Sequence, residues 1–378
     1  MTISSVKVRR AAVAAGPPLL VWGAAAALQL LMLAWLHTRP DDWLRAALTP
    51  WDNQFYVQIA EHGYPHALSY DEHGALAGSP LAFFPLYPAV IAVVAGVTGA
   101  DGADASVVAA WLASAAAAVV VHRLGLRLYG PRAALALVVL VFTQPMAVTL
   151  WIGYSESLFL LLAAGCLLAA HREAWLTAGA LALLAGLTRS TGAAVAVALA
   201  VAAVAATRRR RRVEWRAVAG PVVGALGVPG YLAWVGWRTG RPDAWFAIQR
   251  AGWQTAWDWG AATWRFLADT LRRGHDWVPM VTAVLLVALA AAVVTALLRG
   301  TWPPLAVYGV LILVLTVGQT NYYHSKPRLL VPALLTLVPV AAACARPPWR
   351  TKVPALVALA LFGTWFGAYM LTDWIYAI

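Results

Sequence analysis

Apolar runs of about 16–22 residues recur from one end of this chain to the other, and that recurrence limits the fold more than any other feature. The runs are continuous and rich in Ala and Leu. They do not alternate, so the strands of a membrane barrel are excluded. Only 12% of the 378 residues are charged and 62% are hydrophobic, roughly half the charged share of a soluble globular domain. The expected fold is an all-α polytopic membrane protein.

The net charge of +12 raises the question of nucleic acid. The cations lie in short loops between apolar spans, as membrane topology requires, so no nucleic-acid partner is expected and the lipid bilayer is the partner implied. Cys166 and Cys344 fall inside apolar runs and form neither a metal spacing nor a disulfide framework. The run from Pro17 to Leu36 is too long for a signal-peptide core and lacks a small-residue cleavage pattern, so it reads as an uncleaved first span.

The polar stretch from Thr38 to Pro80 holds Asp41, Asp42, Asp52, Glu61, Asp71 and Glu72. The segment after it, Leu81 to Gly99, decides the topology. It is apolar, but it opens with Phe83-Phe84-Pro85-Leu86-Tyr87-Pro88, and its prolines remove backbone donors. If it lies along the membrane rather than across it, the spans fall at 17–37, 105–122, 131–150, 155–170, 174–188, 191–206, 217–237, 278–298, 303–319, 328–345 and 353–373, about eleven in all. The run Arg208–Arg212 and most other short basic loops then face the cytoplasm, with only Glu173 and Glu214 among the acidic residues. Were Leu81–Gly99 to cross, those arginines would face outside, so the positive-inside rule selects the first threading. It makes 1–378 a single membrane domain with larger outside loops at 38–103 and 238–277, a cytoplasmic N-terminus and an outside C-terminus.

Four outside segments bring polar groups to the membrane face. In the first, Thr49 can cap a helix with Pro50 at its first position. The spacing Thr49-x-x-Asp52 then permits two readings: a capping box whose acid satisfies the helix N-terminus, or a free carboxylate available for chemistry. The second segment is Gly153-Tyr154-Ser155-Glu156-Ser157, where Ser155 can cap a helix and Glu156 either favours the dipole of its first turn or serves as a second acid. The third, Leu187-Thr188-Arg189-Ser190-Thr191-Gly192, puts an arginine between apolar runs, which is costly without a partner or wet cavity. The fourth, Asn321-Tyr322-Tyr323-His324-Ser325-Lys326-Pro327-Arg328, again sets cations at a helix start. Cations at two such places suggest a shared anion, most simply a phosphate. The tryptophans of 238–277 read by default as part of an interfacial amphipathic helix, with a sugar- or lipid-binding surface as the lesser alternative. No metal spacing or nucleotide-binding loop is present. No cofactor or metal is therefore expected, though Asp52 with Glu156 could hold a divalent ion weakly.

Taken in order, Trp51-Asp52-x-x-x-Tyr56-x-x-Ile59-Ala60-x-x-Gly63-Tyr64, Phe83-Phe84-Pro85-Leu86-Tyr87-Pro88, Gly153-Tyr154-Ser155-Glu156-Ser157, Thr188-Arg189-Ser190-Thr191-Gly192 and Lys326-Pro327-Arg328 resemble the PIG-V family of mannosyltransferases, within the multi-span GT-C glycosyltransferases. Phe55 departs from the tryptophan more usual there. The resemblance implies a GT-C-like bundle with juxtamembrane helices in the first outside loop. It also implies a polyprenyl- or dolichyl-phosphate-mannose donor and Asp52 as catalytic aspartate. A polyprenyl-phosphate sugar presents its reactive carbon at the membrane surface. An inverting displacement there needs a base, Asp52, and cations for the leaving phosphate. The substrate-binding candidates are Tyr56, Tyr154, Glu156, Arg189, His324, Lys326 and Arg328, and the acceptor expected is a glycan or glycolipid. Two rivals stay open: a GT-C enzyme using another polyprenyl-phosphate sugar, and a transporter or flippase for a lipid-linked sugar.

Overall fold

A computed structural model describes residues 3–37, 43–346, 348–374 and 376. Asp41 and Asp42 lie outside the described residues. The helices, in chain order, are α1 (Ile3–Leu36), α2 (Trp43–Leu48), α3 (Asn53–His62), α4 (Leu86–Thr98), α5 (Gly102–Tyr129), α6 (Pro131–Thr143), α7 (Glu156–His171), α8 (Trp175–Gly186), α9 (Gly192–Arg210), α10 (Trp215–Ala225), α11 (Gly227–Thr239), α12 (Ala244–Trp253), α13 (Ala261–Arg273), α14 (Trp277–Leu298), α15 (Pro303–Val317), α16 (Lys326–Leu329), α17 (Val338–Cys344) and α18 (Val353–Thr372). Extended pairing among the described residues is confined to two isolated bridges, Tyr70 with Leu76 and Trp257 with Gln319.

The protein is a multi-pass membrane protein. Among the described residues, six helical stretches are long and apolar enough to cross a bilayer: Ala15–Leu36, Gly102–Tyr129, Gly192–Arg210, Trp215–Thr239, Trp277–Leu298 and Arg350–Thr372. Shorter apolar helices, α4, α6, α7, α8 and α15, accompany them. At 13 residues, α4 rises only about 20 Å, well short of a hydrocarbon core about 30 Å thick. It packs against α3 and α5, and its buried Tyr87 hydroxyl donates to the Ser106 carbonyl at 2.8 Å.

Small residues set the packing of the bundle. Gly179 of α8 meets Gly220 of α10 so closely that a Cβ on Gly179 would stand 2.5 Å from the Gly220 carbonyl oxygen. Gly220 and Gly224 form a small-xxx-small face, Gly220 against the Trp175 backbone and Gly224 against Ala182 and Gly179, the contact by which apolar helices associate without a hydrophobic driving force.

The span expected at 217–237 is interrupted at Leu226 between α10 and α11, and two others are broken at prolines. The span expected at 131–150 ends at Thr143, because Pro145 cannot donate to the helical ladder, and a 3-10 turn, Ala147–Leu150, follows. The span expected at 328–345 is split into α16, a 3-10 turn at Leu334–Thr336, and α17, around Pro327, Pro332 and Pro339. The two broken segments meet inside the bundle, where the Gln144 side-chain amide donates to the Val331 carbonyl at 3.0 Å. Irregular backbone deep in a membrane protein needs such internal partners, since lipid offers none.

Candidate active site

The site begins at a strained turn. Thr49 does not cap the helix after it. Its hydroxyl donates back to the Arg45 carbonyl at 2.8 Å and closes α2. Trp51 then takes a left-handed φ of 37°, uncommon for a bulky residue. This kink places Asp52 immediately ahead of α3 without a side-chain capping bond. The capping-box reading of Asp52 is therefore overturned.

Asn53 fastens the turn. Its buried side-chain amide donates to the Ser106 hydroxyl at 2.7 Å and to the Gly153 carbonyl at 2.8 Å. Gly153 has no room for a side chain, since a Cβ there would lie 2.1 Å from the Asn53 amide nitrogen. The Asp52 backbone N–H donates to the Tyr154 hydroxyl at 3.2 Å. The first two sequence motifs are thus interlocked, and the requirement for Gly153 is steric.

Four charged side chains alternate in sign along one wall. The Asp52 Oδ2 accepts from Arg328 Nη1 at 3.2 Å, Arg328 Nε lies 3.8 Å from Glu156 Oε1, and Arg189 Nη1 lies 2.8 Å from the same oxygen. Asp52 and Arg328 keep 18% and 11% of their side chains exposed, whereas Glu156 keeps 1%. Arg189 Nη1 also donates to the Ser155 hydroxyl at 3.0 Å, and the Tyr56 hydroxyl lies 3.0 Å from the same oxygen. Ser155 therefore does not cap α7 but joins Tyr56 to Arg189. The Arg328 guanidinium also rests over the Tyr154 ring, 5.3 Å from its centroid. Burial pushes the Tyr56 and Tyr154 hydroxyls well above the usual range. Both stay neutral and able to donate.

These groups line a cavity of about 400 Å³, within the range of small-ligand sites. Asp52, Tyr56, Tyr154, Glu156, Arg189 and Arg328 all face it. Segments at residues 52, 156, 189 and 328 thus meet at one place. The opposite wall comes from the second large loop: Trp245, Gln249, Trp253 and Trp257 line the cavity. This corrects the expectation that these tryptophans serve first as lipid-interface anchors. Trp259 and Trp264 are indeed exposed, but the Trp253 indole N–H donates to Asp52 Oδ1 at 3.4 Å. Sequence reading missed Asn53 and Trp253. Asn53 was visible only as part of the first motif, and Trp253 only as part of a dense tryptophan run.

Two candidates are not brought to the cavity. His324 is buried among aromatic rings, stacked on Tyr322 and Tyr376. Lys326 is 1% exposed, and its ammonium donates to the carbonyls of Thr316 at 3.1 Å and Gln319 at 2.7 Å and to the Asn321 amide oxygen at 2.6 Å. Three donors meet three neutral acceptors, which leaves none for a phosphate. Burial lowers the Lys326 pKa from 10.5 to about 8 against an opposing pull from Asp258. The folded state then binds fewer protons than the unfolded between those values, so stability rises with pH across that window. Lys326→Met is expected to abolish this rise, which amounts to up to about 3 kcal/mol. Thermal melts in detergent from pH 7.5 to 10 check it.

Among the described residues no group of three or more His, Cys, Asp and Glu side chains converges. Arg328 sits between the two carboxylates that could share an ion, and hard cations require several oxygen ligands.

Comparison with known proteins adds the following. The family model described as Mannosyltransferase (PIG-V) matches residues 35–207, which include Asp52, Tyr56, Tyr154, Glu156 and Arg189. No curated protein matches the chain in sequence. Among solved structures, ArnT from Cupriavidus metallidurans bound to undecaprenyl phosphate is similar at TM-score 0.53 and 18% identity, with 91% of this chain and 63% of that chain covered. The apo oligosaccharyltransferase of Archaeoglobus fulgidus is similar at TM-score 0.51 and 14% identity, with 94% and 56% covered. This chain spans less than two thirds of either, and at those identities the likeness concerns the fold alone. In sequence, the segment 35–207, somewhat under half of the chain, is similar to the PIG-V mannosyltransferase family.

Proposed function

We propose that the protein transfers mannose from a polyprenyl-phosphate carrier to an acceptor hydroxyl at the outer membrane face, with inversion and with Asp52 as general base. The acceptor oxygen bonds to the anomeric carbon while the bond from that carbon to the phosphate oxygen breaks. The hydroxyl proton passes to the Asp52 carboxylate, and the electron pair leaves with polyprenyl phosphate. Arg189 and Arg328 lie where they can face the growing negative charge in a partly dry cavity. Glu156 and Tyr56 orient the acceptor.

The observation that carries this reading is the Asp52 carboxylate itself. It is freed from capping its own helix and pairs with Arg328 inside a cavity that Arg189 also lines. Undecaprenyl phosphate bound to ArnT supports a polyprenyl-phosphate donor on this fold, and the similarity of residues 35–207 to the PIG-V mannosyltransferase model supports mannose. The outward orientation is supported by α9. Arg189 stands just before its start, and Arg208, Arg209 and Arg210 form its end. Nineteen residues separate those ends by about 28 Å, so a cytoplasmic arginine run puts the acid cluster on the other side.

The test is transfer by the purified protein in liposomes, with polyprenyl-phosphate mannose competed by the corresponding glucose and arabinose carriers. Labelled mannose is expected on acceptor, with weak competition. Preference for another sugar would replace mannose in this reading, and movement of the lipid across the bilayer without sugar transfer would replace the enzyme with a flippase.

A further inference from the structure

The Asp52 carboxylate is held from two directions by residues far apart in the chain. Arg328 engages Oδ2 and the Trp253 indole N–H engages Oδ1. Trp253 is the last residue of α12, and its position is built rather than incidental. Its ring packs edge-on against Phe83 at 5.2 Å and Phe55 at 5.6 Å, and these two rings stack on each other at 5.0 Å. Earlier in α12, the Trp245 indole and the Gln249 amide both donate to the Ala82 carbonyl, at 3.1 and 3.3 Å. Gly252 meets Gly78 backbone to backbone, where a Cβ on Gly252 would stand 2.7 Å from the Gly78 Cα. The helix end is thereby drawn onto the first loop at the point where the indole nitrogen reaches the acid.

We propose that Trp253 is a positioning residue for the reaction. Its N–H occupies Oδ1 and fixes the rotation of the Asp52 carboxylate, which leaves Oδ2, already paired with Arg328, to face the incoming hydroxyl with its remaining lone pair, and α12 thereby becomes part of the catalytic apparatus. This rests on the reading of Asp52 as base. The proton-accepting oxygen must meet the hydroxyl within hydrogen-bond reach, and a carboxylate free to rotate satisfies that only part of the time. The indole also shields one side of the acid from water.

The test is a double-mutant cycle in reconstituted protein. Trp253→Phe keeps a ring against Phe55 and Phe83 but removes the donor. It is expected to lower kcat about tenfold at unchanged donor KM and unchanged melting temperature. In an Asp52→Asn background the same substitution should have no further effect on the residual rate, because a residue acting through the acid has nothing left to position. A second variant, Gly252→Val, which displaces the helix end while retaining the indole, should reproduce the kcat loss. Wild-type kcat in Trp253→Phe overturns the proposal. So does a loss that multiplies with that of Asp52→Asn, which assigns Trp253 to the cavity wall alone. Full activity in Asp52→Asn by itself overturns the base instead, so the two failures are distinguishable.

Discussion

Asp52→Asn is expected to leave a folded, detergent-stable protein whose transfer rate is about 10²–10⁴-fold lower. The substitution preserves volume and keeps an oxygen for the Trp253 N–H, and Asp52 is not needed to cap α3. What it removes is basicity and the charge paired with Arg328. That pair is partly exposed, so a melting shift of only a few degrees is expected. Donor KM should change far less than kcat, because the lost interaction is one with a proton that moves only during the reaction. Transfer by this variant at the wild-type rate would remove Asp52 from the mechanism.

Arg189→Met should show the second large effect, in stability as well as activity. Glu156 is almost wholly enclosed, and Arg189 is its nearer cation. Stripping one partner from a buried pair costs about 3–5 kcal/mol. The lower end is expected here, because Arg328 remains 3.8 Å away and Arg189 keeps 17% of its side chain exposed. Thermal melts of Arg189→Met and of the double variant Arg189→Met/Glu156→Gln separate the roles. The double variant should regain most of the lost stability by removing the stranded charge. If Arg189 also contacts donor phosphate, donor KM stays raised in both. Recovery of donor KM along with stability would reduce Arg189 to the counter-ion of Glu156.

The membrane class was legible because long apolar runs have one physical outcome. The convergence of residues 52, 156, 189 and 328 was legible because acids and arginines between apolar spans require partners. Other features escaped for identifiable reasons. Thr49-x-x-Asp52 fits a capping box in spacing, but spacing does not reveal that Thr49 bonds backward to Arg45 or that Trp51 kinks the chain. Lys326 and Arg328 look equivalent in the sequence. They diverge because carbonyls at 316 and 319 consume one ammonium, while the guanidinium two residues on reaches the cavity. Trp253 finds its partner 201 residues away, and no local pattern encodes such a meeting. The broken segments at Pro145 and Pro332 were read as whole spans because hydropathy does not register a lost N–H.

The alternation of two acids with two arginines leaves that wall near formal neutrality. Such a wall offers its guanidiniums to an anionic guest without an excess of positive charge. In the proposed reaction the spent lipid phosphate departs more negative than it arrived, and it then faces carboxylates as well as guanidiniums. Repulsion from Glu156, which the proposed mechanism also uses to orient the acceptor, then works against retention of the departing phosphate.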